Sequence, residues 1–199
     1  ARTIVRVDEG EIAGGFARAY DAWTVEDPDT PTIRAIVAST GLLRAHSVAV
    51  EVVLEDGTCW SRSFSATFNE STACVFTTPN PYILGVRIRG IAFAVDVLNP
   101  EDSVELDITP LTCATSDLRG GRMFLASDDE VYAYDGVRIL WRSRRVSLDG
   151  IRGLTYAEGR VRGLATAPGV DAVPFIIDAE SGDAEGGFQG WGDLRPLGD

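Results

Sequence analysis

Residues 48–68 read Val48-Ala-Val-Glu-Val-Val-Leu-Glu-Asp-Gly-Thr-Cys-Trp-Ser-Arg-Ser-Phe-Ser-Ala-Thr-Phe68. Val48, Val50, Val52 and Leu54 alternate up to Glu55-Asp56-Gly57, and beyond it Trp60, Phe64 and Phe68 share one parity. A period of two interrupted by Asp-Gly is the pattern of a β-hairpin. Loop length decides which side chains meet. A two-residue Asp56-Gly57 loop sets Leu54 against Cys59 and puts the valines beside Ser61, Ser63 and Ser65. A three-residue loop, with Gly57 left-handed, gathers the valines, Trp60 and Phe64 on one side, and it is the expectation because it keeps apolar surface together. Arg62 then shares that side and needs a partner. It either stacks on Trp60 or pairs with an acid, or it lines a pocket for an anionic ligand.

The same alternation runs along the chain. Val86 and Ile88 share one parity and Ile91, Phe93, Val95 and Val97 the other, so a strand with a β-bulge near Gly90 is expected, with Ile88 and Ile91 buried. Val104, Leu106 and Ile108 alternate with acids, a strand with one wet face. Between Glu11 and Trp23 a helix would carry Gly14 and Gly15 in its middle, at roughly 1 kcal/mol each, so that stretch reads as strand or loop. Thr109 to Gly121 is polar and turn-forming and sets a boundary near 117. Short strands are expected over 122–126, 130–134, 137–142, 151–157, 160–166 and 174–178, with a two-residue Asp135-Gly136 turn pairing Tyr134 with Val137 and Tyr132 with Ile139. The tail from Gly186 to Asp199 is expected to run over the surface or to close a sheet edge through Phe188 and Trp191. The fold class is all-β: an antiparallel sandwich-like unit over 1–117 and an antiparallel β-meander over 118–199, or one continuous domain.

Of the 199 residues 45% are hydrophobic and 24% charged, a globular balance. No run nears the ~18 apolar residues of a membrane helix. The net charge of −12 repels phosphate backbones and anionic lipid, so neither nucleic acid nor membrane is an expected partner. All 18 basic residues are Arg, which reads as the codon bias of a GC-rich genome. Ala1 fits removal of a starting Met or of an export signal, and the former, with a cytoplasmic location, is the expectation. Cys59, Cys74 and Cys113 match no zinc spacing and read as buried thiols, a Cys59–Cys74 bridge remaining open for an exported chain. His46 is the only histidine, which excludes a multi-histidine metal site, and no Gly-x-Ser-x-Gly elbow accompanies it. Asp128-Asp129-Glu130 and Glu101-Asp102 read as turn residues, and the Gly pairs fail the strand-to-helix context of a phosphate loop. No catalytic residue, metal or cofactor is assigned.

Residues 120–142, Gly-Gly-Arg-Met-Phe-Leu-Ala-Ser-Asp-Asp-Glu-Val-Tyr-Ala-Tyr-Asp and then Ile-Leu-Trp, resemble one blade of the quinoprotein-type β-propeller repeat. A second echo runs from Gly159-Arg-Val-Arg-Gly to Ile177-Asp-Ala-Glu-Ser-Gly-Asp. Leu140-Trp-Arg-Ser, Ser147-Leu-Asp-Gly-Ile-Arg-Gly and Pro174-Phe-Ile-Ile-Asp are also similar to a pattern in uncharacterised bacterial proteins. The resemblance implies a β fold short of a complete propeller, because two echoes are fewer than the four or so blades a ring needs. It implies no cofactor and no catalytic residue.

For function, the informative cluster is Arg138, Arg142, Arg144, Arg145, Arg152, Arg160 and Arg162, with only Asp149 and Glu158 as acids among them. Seven cations against two acids leave +5 there and −17 elsewhere. Arg142 with Arg144, and Arg160 with Arg162, share strand parity and are expected as stripes on a sheet face. The leading expectation is a non-enzymatic binding protein that offers a sheet face or edge to an acidic protein partner or to its own copy, with Trp60, Arg62, Arg142, Arg144, Arg160 and Arg162 as binding residues. The alternatives are a small-ligand or carbohydrate-binding module using the four Trp with Tyr132, Tyr134 and Tyr156, and a carboxylate-dependent hydrolase. The bland reading of the arginines is internal pairing or a solvated face.

Overall fold

The alternation folds as strand after strand in the computed structural model, which describes residues 15–25, 46–66, 73–88 and 90–188 and places no helix among them. β1 (Tyr20–Val25), β2 (His46–Leu54) and β3 (Cys59–Ala66) form a first sheet. β4 (Ala73–Thr77), β5 (Ile83–Ile88), β6 (Ile91–Asp96) and β7 (Ser103–Glu105) form a second. A third holds β8 (Cys113–Asp117), β9 (Arg122–Ala126), β10 (Val131–Tyr134) and β11 (Ile139–Arg142). The fourth holds β12 (Ile151–Ala157), β13 (Arg160–Ala167), β14 (Val170–Asp178) and β15 (Ala184–Gly186). Every pairing is antiparallel and between sequence neighbours.

Each sheet lays a face on the next. Val50, Val52 and Phe64 of the first sheet pack on Leu84, Val86, Ile88 and Val95 of the second, the sandwich-like contact. The other face of the second sheet gives Phe76 and Ala92 to Met123, Leu125, Tyr132 and Tyr134 of the third. Residues of opposite parity in the third sheet, Phe124, Ala126, Val131 and Ala133, meet Val161, Ala165, Phe175 and Ile177 of the fourth. The runs Met-Phe-Leu-Ala and Val-Tyr-Ala-Tyr are apolar at every position because both faces of that sheet are covered. At about 1.5–3 kcal/mol per large side chain, these three layers are the main source of stability. Successive four-stranded antiparallel meanders stacked in this way are built like propeller blades, and the two sequence echoes fall on the third and fourth sheets. No helix among the described residues is long and apolar enough to cross a membrane.

The first hairpin has the expected register. Val52 pairs with Trp60 and Val50 with Arg62, around a three-residue loop in which Gly57 has φ +84°. Other local expectations need correction. Residues 86–97 are two strands with Ile88 paired to Ile91, so the parity change at Gly90 is a chain reversal and no bulge; Ile88 is buried and Ile91 half-buried. The Asp135-Gly136 turn is a four-residue loop, because Tyr134 pairs with Ile139 and the Asp135 carboxylate accepts the N–H groups of Val137 and Arg138, each at 2.8 Å. Val137 is exposed instead of paired with Tyr134. The polar stretch 109–121 contains β8, which pairs with β9 through Asp117 and Arg122. The cluster that unites Phe76, Ile108 and Leu111 with Met123 and Leu125 spans position 117. Cys59 is exposed and Cys74 buried, both free, so the bridge between them is absent and Cys59 is not a buried thiol. Residues 11–14 and Trp191 lie outside the described residues, whereas Phe188 is buried against the fourth sheet.

The β2–β3, β4–β5, β6–β7, β8–β9, β10–β11 and β14–β15 turns gather at one end of the stack. Trp60, just past the 55–57 turn, donates its Nε1–H to the Val97 carbonyl at 2.9 Å beside the β6–β7 turn. Gly136 in the β10–β11 turn lies against Asn80 in the β4–β5 turn. Arg122, which follows the β8–β9 turn, donates to the Ala179 carbonyl in the β14–β15 turn at 3.1 Å.

Candidate functional site

The arginine cluster separates by surroundings. Arg142 ends β11 opposite Tyr132, and its guanidinium holds both oxygens of Glu130, Nη2 to Oε1 at 2.8 Å and Nε to Oε2 at 2.6 Å. Tyr132 donates its hydroxyl to Glu130 Oε2 at 2.9 Å, under the Arg142 guanidinium, which lies 5.8 Å from the ring centroid. Burial first and the neighbouring carboxylate second push the Tyr132 phenol up to about 12. Arg144 shares parity with Arg142 and not its face, since β11 stops at Arg142. Arg144 reaches the fourth sheet, donating to the carbonyls of Ala184 at 3.3 Å and Gly186 at 2.8 Å. Arg145 pairs with Asp129 at 3.0 Å and Arg138 with Asp135 at 3.8 Å. These four arginines are therefore used inside the molecule.

Arg152, Arg160 and Arg162 differ. The β13 pattern, exposed at Arg160, Arg162 and Leu164 and buried at Val161, Gly163 and Ala165, follows from one face packing on the third sheet and the other lying open. Pairing places Arg160 opposite Asp178, Arg162 between Thr155 and Ile176, and Leu164 between Arg152 and Pro174. None of these three arginines has an acid within ion-pair distance among the described residues, and all three are exposed. Asp178, the nearest acid by register, accepts the backbone N–H groups of Ser181 at 3.1 Å and Glu180 at 3.0 Å. Those bonds, with a smaller contribution from Arg160, hold its carboxyl below the usual range. The outer face of the fourth sheet thus joins three exposed guanidinium groups, none ion-paired among the described residues, to Leu164, which is 43% exposed.

Trp60 and Arg62 are elsewhere, on the inner face of the first sheet. Arg62 is partly buried and stacks over Phe64, 5.4 Å from its centroid, where Trp60 was the expected ring. Its Nη1 makes no hydrogen bond among the described residues. Trp60 spends its indole N–H on Val97. The six expected binding residues are therefore not one site: only Arg160 and Arg162 share an open face. Arg152 belongs with them. Its register with Leu164 across β12 and β13 was not apparent because the β12–β13 ladder shifts between Arg152 and Thr155. Among the described residues no group of three His, Cys, Asp or Glu could hold a metal ion.

A scan against protein-family models finds no match, and no curated protein matches the chain. Solved structures similar to it include puromycin hydrolase, at TM-score 0.48 and 15% identity over 84% of this chain and 26% of that one. Another is a nidogen/laminin complex, at TM-score 0.38 and 11% identity over 67% of this chain and 55% of that one. The chain thus spans about a quarter and about half of those proteins' lengths.

Proposed function

We propose that this chain is a non-enzymatic interaction protein whose binding surface is the outer face of the fourth sheet, and that it takes an acidic protein surface. The observation that carries the reading is the contrast within the arginine cluster. Arg138, Arg142, Arg144 and Arg145 are engaged internally, whereas Arg152, Arg160 and Arg162 stand exposed around Leu164 with no ion pair among the described residues. Arginine forks grip carboxylates bidentately, and a partly apolar face with an arginine frame suits a protein partner. The carbohydrate reading has less support, since Tyr132 and Tyr134 are buried and Tyr156 gives its hydroxyl to Asp117.

Binding of a fluorescent polyglutamate chain, measured at low and high salt, tests this. Wild type should bind in a salt-sensitive manner, Arg160→Glu/Arg162→Glu should lose at least tenfold in affinity, and Arg142→Glu/Arg144→Glu should lose much less. Equal losses in both double variants would dismiss the face.

A further inference from the structure

Resting on that reading, we propose that the occupant of the fourth sheet's outer face is the outer face of the first sheet of a second copy of this chain. Three times along the stack a sheet covers the next, which leaves two end faces uncovered by any other described sheet, one on the first and one on the fourth. The end face of the first sheet carries Glu51, Val53, Cys59, Ser61 and Ser63, opposite in parity to the buried Val50, Val52 and Phe64. Its charge is acidic: Glu51 lies within β2, and Glu55 and Asp56 are exposed at the turn below. Arg62, the one arginine among residues 46–66, is turned to the inner face and stacks on Phe64.

The β2–β3 turn of the first sheet, the β4–β5 and β6–β7 turns of the second, the β8–β9 and β10–β11 turns of the third and the β14–β15 turn of the fourth lie at one end, so repeating the stacking step once more between copies keeps that end in common. Arg160, just after the 158–159 turn, and Arg162 beyond it then come over the half of the first sheet that holds Glu55, Asp56 and Glu51. Pairing the end face of the first sheet with itself would oppose acid to acid, and the three arginines of the fourth sheet's face, which outnumber Asp178 and Glu185 on it, meet more acids in the mixed contact, which favours that contact. Such a contact is head-to-tail and closes into a ring or propagates.

The strand order sets a distance test. β1 lies beside β4 and β8 beside β12, so β3 and β15 are at the far edges of their sheets. Cys59 on β3 is exposed, and Glu185 on β15 is exposed on the outer face, opposite Ile176. Wild type, which keeps Cys59, is mixed with mass-tagged Cys59→Ser/Glu185→Cys and treated with a short bis-maleimide, the Cys59→Ser single variant giving the background from Cys74 and Cys113. Sedimentation of wild type over a concentration series at low and high salt runs alongside. The expected result is a cross-link between the two species in at least fivefold excess over either with itself, lost in Arg160→Glu/Arg162→Glu, with mass rising with concentration at low salt. Cross-linking confined to Cys59→Ser/Glu185→Cys with itself would overturn the head-to-tail contact. A mass independent of concentration would overturn the second copy as occupant. If polyglutamate binding then still depends on Arg160 and Arg162, the binding face itself stands with another protein as partner; if it does not, both readings fall.

Discussion

Asp117 is buried at the end of β8, yet both its oxygens are engaged. Oδ1 accepts the Gly120 N–H at 2.9 Å and closes the β8–β9 turn, and Oδ2 accepts the Tyr156 hydroxyl, also at 2.9 Å, from the fourth sheet. Tyr156 stacks on Phe124, with centroids 5.3 Å apart, so one side chain joins a polar and an apolar contact across the same junction. Removing the hydroxyl alone keeps the stack and leaves a buried carboxylate oxygen without that donor. Tyr156→Phe should therefore destabilise by about 1–3 kcal/mol, the cost of an unmet buried acceptor. Thermal unfolding should show a drop of several degrees, and an unchanged midpoint would mean that water replaces the hydroxyl freely. Nothing in Leu154-Thr-Tyr-Ala157 announces this bond, because it depends on how two sheets are placed and not on a local pattern.

Elements were legible where turn chemistry and parity agree. The 48–66 hairpin is of this kind: only one loop length puts Val50, Val52, Trp60 and Phe64 together. Around Gly90 the same evidence is ambiguous, because a bulge and a two-residue reversal shift parity alike. At Asp135 the carboxylate caps the loop and lengthens it, which a dipeptide signature does not convey. β8 was missed because Cys-Ala-Thr-Ser-Asp has small and polar residues where strands usually carry large ones; they suit the close approach of β12, where the Cys113 thiol reaches the Ile151 carbonyl at 3.7 Å. Small residues within strands recur for another reason. Gly85 faces Phe76 across β4 and β5, and Gly163 faces Phe175 across β13 and β14. An added Cβ would lie 2.2 Å from the Phe76 ring and 2.6 Å from the Phe175 ring. Each glycine is thus the seat of a buried aromatic ring, and the ring covers the exposed backbone in return. Gly163→Ala should overpack this contact and cost about 1–3 kcal/mol, read as a lower denaturant midpoint at constant slope. An unaltered midpoint would show that Phe175 has room to rotate.

Across the whole molecule, the sign asymmetry of the sequence was legible and its meaning was not, since a count of arginines cannot tell Arg142, folded onto Glu130, from Arg162, left in the open. Organisation at this scale is testable through the junction between the second and third sheets. Phe76, Ala92, Leu106, Ile108 and Leu111 share one cluster with Met123, Leu125, Tyr132 and Tyr134, and Arg87 adds bonds to the Leu111 and Thr112 carbonyls. A layer of that size couples what lies on either side, because unfolding one half would expose the apolar face of the other. Trp60 reports on the first two sheets and Trp141, tilted against Phe124 and bonded to the Ala179 carbonyl, on the last two. Two variants, each keeping only one of these tryptophans with the others replaced by Phe, should show fluorescence transitions in urea that coincide with each other and with circular dichroism, the mark of one cooperative unit. Weakening the layer by Leu125→Ala, which costs about 2–5 kcal/mol, should move both transitions together. Two separated midpoints, with Leu125→Ala moving only the Trp141 signal, would instead divide the chain near residue 117 into units that fold independently.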